Sequence, residues 1–146
     1  MAPITQPYRN QHVELARLAA GVPLNAADVN AREASLALQC LKSVLIVHLK
    51  MQDGMLYPWM KRQNSSELRA KGARFHEMMR TLMVAFVEFY QRWSSRDAIE
   101  ADPDGFVAAW RLVWGVLKHR LEAESSDLYG AIDAYGARSS ETALAS

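Results

Sequence analysis

The chain carries a single cysteine, Cys40. An internal disulfide is therefore excluded, and a lone thiol fits a reducing, cytoplasmic setting. Charge of one sign is missing as well: 17 Lys and Arg against 16 Asp and Glu leave a formal +1. The basic patch that a nucleic-acid binder needs is not expected. No run of about 18 apolar residues is evident, so no membrane-spanning helix is expected. The opening MAPITQPYRNQ lacks the basic-then-apolar pattern of a signal peptide. Only 7 glycines and 5 prolines occur, and they cluster between periodic stretches, as in a helical bundle. Paired catalytic carboxylates, a nucleophile elbow and a glycine-rich phosphate loop are all absent, which argues against an enzyme.

What is present is helical periodicity over 146 residues, enough for one domain with a real core. The organising stretch is Cys40 to Met60, the second half of a long helix. Ala34, Ala37, Leu41, Val44, His48, Met51 and Met55 recur in steps of three and four. His48 lies on that apolar stripe, Gln52 shares its side one turn later, and Leu56-Tyr57-Pro58 ends or bends the helix. A first helix is expected from about Tyr8 to Ala20, with His12, Leu15 and Ala19 on one face. The second begins near Ala26–Asp28, capped by Asn25 or Asp28, and runs to about Tyr57. Asn64 followed by Glu67 fits a capping box for a third helix to about Trp93, whose stripe is His76, Met79, Met83, Phe86, Tyr90 and Trp93. Residues 94–101 read as a loop. Asp102-Pro103 opens a fourth helix, with Phe106, Trp110, Val113, Leu117 and Leu121 inward, to about Ile132. The expectation is an all-α, antiparallel up-down-up-down four-helix bundle over residues 8–135. A flexible arm, 1–7, precedes it and a disordered polar tail, 136–146, follows. Leu56-Tyr57 and Leu128-Tyr129 form a weak internal echo, as though two helical hairpins were related by a pseudo-twofold axis.

Four histidines, His12, His48, His76 and His119, fall one to each expected helix. Counting residues from each turn puts His48, His76 and His119 at one level of the bundle, since the mismatches amount to only about 1.5 Å at the helical rise. His12 fits that level less well. A lone histidine on an apolar face is ordinarily a satisfied core or boundary residue; one per helix at matching heights points instead to a transition-metal site. The methionines and aromatics of the third helix read as core filler, Arg111, Lys118 and Glu122 as a solvated face, and Cys40 as inert, partly buried packing.

Tyr8-x-x-x-His12 and His48-Leu49-x-x-Gln52-Asp53-x-x-Leu56-Tyr57-Pro58, with Phe75-His76-Glu77-Met78 and Glu124-x-x-x-Leu128-Tyr129, resemble the haemerythrin-like, or HHE cation-binding, family over about residues 8–132. The resemblance implies a four-helix bundle holding non-haem iron, as a di-iron centre, through histidine and carboxylate ligands. It further implies binding or sensing of dioxygen or nitric oxide, iron storage, or a stress-response role. The metal ligands it suggests come from His12, His48, Gln52, His76, Glu77, His119 and Glu124. Two positions depart from the family pattern. Gln52 stands where the family has glutamate, and a neutral amide neither bridges two cations nor neutralises them. The echo places Arg120, not His119, at the last histidine position, where it would pair with Glu124 at i+4. On the third helix the register of some family members favours Glu77, and the helical wheel favours His76. Two readings follow: a carrier or sensor with an altered, mononuclear or di-iron site, or a metal-free bundle acting through a protein partner.

Overall fold

The computed structural model describes residues 3–145. Every regular element within them is helical. Helix α1 spans Gln6–Ala19, α2 Ala31–Met51, α3 Tyr57–Lys61, α4 Ser66–Trp93, α5 Arg96–Ala101, α6 Pro103–Ala123 and α7 Tyr129–Ala145. A 3₁₀ turn, Ala26–Asp28, precedes α2, and two π-helical turns, Gln52–Leu56 and Glu124–Leu128, join α2 to α3 and α6 to α7.

The helix starts follow side-chain capping chemistry, at positions that partly differ from expectation. Asn30, not Asn25 or Asp28, accepts from the Glu33 N–H at 3.0 Å. Ser65, not Asn64, accepts from Leu68 N–H at 3.1 Å. Asp102 accepts from Gly105 N–H at 2.9 Å, as its pairing with Pro103 indicated. The expected loop at 94–101 contains α5, capped by Ser95 and held by Ile99, whose side chain is fully buried in the core.

Two apolar clusters form the interior. The larger gathers Leu15 of α1, Leu38, Leu41 and Leu45 of α2, Met79, Leu82 and Phe86 of α4, and Phe106, Trp110, Leu117 and Leu121 of α6. The smaller gathers Tyr8, Leu56, Tyr57, Met60, Leu68, Phe75, Leu128, Tyr129 and Ile132. Following the chain, α1 and α4 run from the smaller cluster to the larger, and α2 and α6 run back. The inward stripe of the fourth expected helix is buried as read. That of the third is rotated: Phe75, Met79, Leu82, Phe86 and Phe89 are buried, and His76, Met83, Tyr90 and Trp93 sit at its margin. On α2 the buried set is Ala34, Ser35, Leu38, Leu41, Leu45 and His48, with Met55 exposed. Cys40 is exposed as well, against the expectation of partial burial.

Proline does not stop the second helix. Tyr57 N–H bonds to the Gln52 carbonyl, five residues back, and this widened turn relieves the clash that a proline ring makes with the preceding turn. The helix therefore continues through Pro58 to Lys61. Within its full span, Ala31–Lys61, an 18-residue window reaches a mean hydropathy of 1.3, apolar enough by length and composition alone to cross a membrane, although Gln39, Lys42, His48 and Lys50 interrupt the apolar residues. In the fold its buried face is core.

The N-terminal arm is held against the body of the fold from Thr5 on. Met1 and Ala2 of the expected arm lie outside the described residues. Thr5 is buried and donates to Asp133 Oδ1 at 2.7 Å, and α1 begins at Gln6. The expected tail continues α7 to Ala145; Ser146 lies outside the described residues. Tyr129 and Ile132 anchor the start of α7 in the smaller cluster.

Candidate metal centre

A polar layer lies between the two apolar clusters. On α1, His12 falls between Tyr8 and Leu15. On α2 and its π-turn, His48 and Gln52 fall between Leu45 and Leu56. On α6 and its π-turn, Glu124 falls between Leu121 and Leu128. Helix α4 contributes no buried polar residue at this level, passing from Phe75 to Met79. His48, Gln52 and Glu124 are essentially inaccessible, and the His12 side chain is 10% exposed.

The π-turns do the aiming. Gln52 and Glu124 are the first residues of the two turns, and each carbonyl accepts from the N–H of a tyrosine five residues on, Tyr57 and Tyr129. In a regular α-helix a residue five positions on points well away from the first. The wider turn brings Leu56 with Tyr57, and Leu128 with Tyr129, to the interior alongside Gln52 and Glu124. The Leu-Tyr echo is thus matched by a repeated local structure.

Glu124 is the hub. Its Oε1 lies 2.9 Å from His12 Nε2 and 3.1 Å from His48 Nε2. Its Oε2 accepts from Gln52 Nε2 at 2.9 Å. The same Gln52 nitrogen donates to the Tyr129 hydroxyl at 2.7 Å, which stands 3.3 Å from His12 Nε2. The rings of His12 and His48 are 4.9 Å apart at their centroids. One ligand atom from each of His12, His48 and Glu124 can be chosen so that all lie within 4.8 Å of one another, and this group can hold a metal ion.

The outer hydrogen bonds fix what the inner atoms offer. Gln11 Nε2 donates to Met51 Sδ at 2.8 Å, so its Oε1, 2.6 Å from His48 Nδ1, accepts. His48 therefore carries its proton on Nδ1, and Nε2 of the neutral ring is a bare lone pair aimed at a carboxylate oxygen. Two lone pairs do not face each other at 3.1 Å without a positive centre between them, either a proton, making the ring imidazolium, or a metal ion. His12 Nδ1 likewise has a partner, Ser125 Oγ at 2.8 Å, but a hydroxyl can accept from the ring or donate to it, so this contact does not fix which His12 nitrogen carries the proton. Histidine ligands to metals characteristically hold the far nitrogen in such a bond. The distances also fit. Two ligands at right angles about an ion, each at about 2.1 Å, stand about 3.0 Å apart.

Electrostatics favour an ionised Glu124. Burial alone would raise its carboxyl, but hydrogen bonds from His12 and His48, with their charge, outweigh burial and hold it at about 2. Tyr129 is pushed upward, first by burial and then by the Glu124 charge, so it remains a hydroxyl at neutral pH. Arg9 braces the site from outside, donating to the Ser125 carbonyl at 3.1 Å, pairing with Asp133 at 2.9 Å and lying over the Tyr129 ring.

Four of the seven residues expected at the site, His12, His48, Gln52 and Glu124, come together; the other three do not. His76 is at the margin, 3.1 Å from Asp53 and stacked on Tyr57. Glu77 is exposed beside Arg80, and His119 is exposed. Counting residues fixed a level but not a direction round the helix, so His76 and His119 were wrongly grouped with His48. His12 was judged too poorly; the 3₁₀ turn and delayed start of α2 absorb the offset. Arg120 does not pair with Glu124. It reaches across to Met78 Sδ at 3.0 Å, because Glu124 starts the π-turn and faces inward. Gln11, Ser125 and Tyr129 were not read as site residues; for Tyr129 the Leu-Tyr echo was an available signal.

No protein-family model, no curated protein and no solved structure matches the chain. Fold and site together define an all-helical protein with a buried His-His-Glu group able to hold a metal ion.

Proposed function

We propose that the protein is a haemerythrin-like metal-binding protein with a single-ion site formed by His12, His48 and Glu124. The observation that carries this reading is the pair of imidazole Nε2 atoms turned onto one carboxylate oxygen, with both far nitrogens occupied by Gln11 and Ser125. The alternating passage of α1, α2, α4 and α6 between the two core clusters supports an up-down-up-down four-helix bundle around the site. Two histidines and one carboxylate suit non-haem ferrous iron. Bound there, the ion would keep positions for a small diatomic ligand such as dioxygen or nitric oxide, which suits sensing or carriage. Gln52 and Tyr129 hold the carboxylate and exclude water. One ion rather than two fits the residues gathered, since Gln52 brings no second charge.

The competing reading is a metal-free regulatory or protein-interaction module. It draws on Glu124 already being bonded through both oxygens, with an imidazolium supplying the positive centre. Elemental analysis of protein produced in iron-replete medium separates the two. One tightly held iron per chain, lost in His48→Ala, is expected, with uptake by the metal-free protein releasing protons from the imidazole–carboxylate contacts. Protein that takes up neither ferrous nor zinc ion would leave the metal-free module as the correct reading.

A further inference from the structure

The outer sides of α4 and α6 expose apolar residues that no other described residue covers. Val84 is 62% and Leu112 75% exposed, and Val87 and Val116 are exposed as well. Leu112 and Val116 border the groove between α6 and α4, and Val84 and Val87 stand on the neighbouring crest of α4. Large apolar side chains gathered on two adjacent helices form a patch, and such patches mark interaction sites.

The charges on the same crest indicate what covers it. Arg80 and Glu88 are both exposed, and each stands four residues from Val84, on opposite sides of it along α4. Four residues bring a helix to within about 40° of a full turn, so the three share one side. Neither charge is well paired within the chain. Arg80 reaches Glu77 at 3.4 Å, and Glu88 forms no ion pair among the described residues. A second α4 laid antiparallel on the first, with a twofold axis level with Val84, sets Arg80 of each copy opposite Glu88 of the other. Both lie about 6 Å from the axis along the helix, and the symmetry makes the pair twice. Parallel helices in register would set like charges against each other.

The apolar residues of α6 obey the same axis. Phe89 of α4 faces Trp110 of α6, ring centroids 5.9 Å apart, and Trp93 faces Phe106 at 6.2 Å. These contacts fix the level of antiparallel α6 on α4. Five residues back from Phe89 is Val84, and five on from Trp110 is Gly115, between Leu112 and Val116. The twofold axis therefore passes between Leu112 and Val116 and brings each beside the other's counterpart.

We infer that two copies of this chain associate as a twofold-symmetric dimer through α4 and α6, with Val84 at the axis, Arg80 paired with Glu88 across it and Leu112 packed beside Val116. The inference goes beyond the metal reading and is tested with chelator present, so it stands or fails without it. Sedimentation equilibrium of the full chain, from low-micromolar to near-millimolar concentration, should show monomer and dimer in exchange. Arg80→Glu should raise the dissociation constant about tenfold, because the dimer loses two attractions and gains two repulsions. Glu88→Arg should do the same. Mixing these two variants should restore dimers of parental affinity, since the acidic crest of one then meets the basic crest of the other. Val84→Asp should abolish the dimer, whereas Val13→Asp, at an exposed position on α1, should leave it intact. All four changes are on the surface, so thermal unfolding should show each variant folded. The inference is overturned if the parent stays monomeric at the highest concentration, which would assign the face to a different partner. It is equally overturned if Val84→Asp and Arg80→Glu associate like the parent, or if mixing the two charge variants restores nothing.

Discussion

Replacing Glu124 with glutamine tests the hub of the site without changing its shape. The native carboxyl is held at about 2 against an ordinary 4.5. At about 1.4 kcal/mol for each tenfold change in acidity, that difference is on the order of 3 kcal/mol of stability carried by the ionised form. The sign follows from the depressed value. The contribution is complete above pH 4.5 and is lost as pH falls towards 2. Glu124→Gln mimics the protonated state, so it should be less stable than the parent by about 3 kcal/mol at pH 7. The gap should narrow below pH 4.5 and close near pH 2. Urea unfolding of both proteins across this range, with chelator present, measures the difference directly. A variant as stable as the parent at neutral pH, or a gap indifferent to acid, would refute the placement of an ionised carboxylate between two histidines.

Gln52→Glu would set a second carboxylate 2.9 Å from the first and remove the donor to Tyr129; like charges that close raise one carboxyl strongly. The metal-free variant should therefore lose stability as pH rises above about 4.3, and bind ferrous or zinc ion more tightly than the parent in a competition titration. His76→Ala and His119→Ala should leave metal affinity unchanged by the same titration, because neither ring reaches the polar layer; a loss in either would return that histidine to the ligand set. At Gly105 an added Cβ would collide with the Asp102 carboxylate and stand 2.9 Å from the Trp93 ring. Gly105→Ala should therefore disturb the α6 cap and cost about 1–3 kcal/mol in thermal or denaturant unfolding.

The all-helical class was set by the sequence itself, because apolar residues three and four apart have one way to share a face. The start of α6 was legible for the same local reason: Asp102 and Pro103 act within a single turn. His12 and His48 could be named as candidates because a polar residue on an apolar stripe is costly enough to stand out, whereas Glu124 was suggested by the family resemblance of Glu124-x-x-x-Leu128-Tyr129. Which of four histidines would meet was decided only by tertiary packing. Level along a bundle follows from counting, but direction round each helix depends on its rotation in the core. On α4, Phe75 and Leu82 won the interior and turned His76 outward. The two π-turns were likewise settled in three dimensions. Each inserts a fraction of a turn that no α-periodic reading contains, and so one turn carries the helix through Pro58 and the other sends Glu124 inward while Arg120 goes to Met78. Local chemistry chose the residue types, and the packing of the whole chain chose which of them face one another.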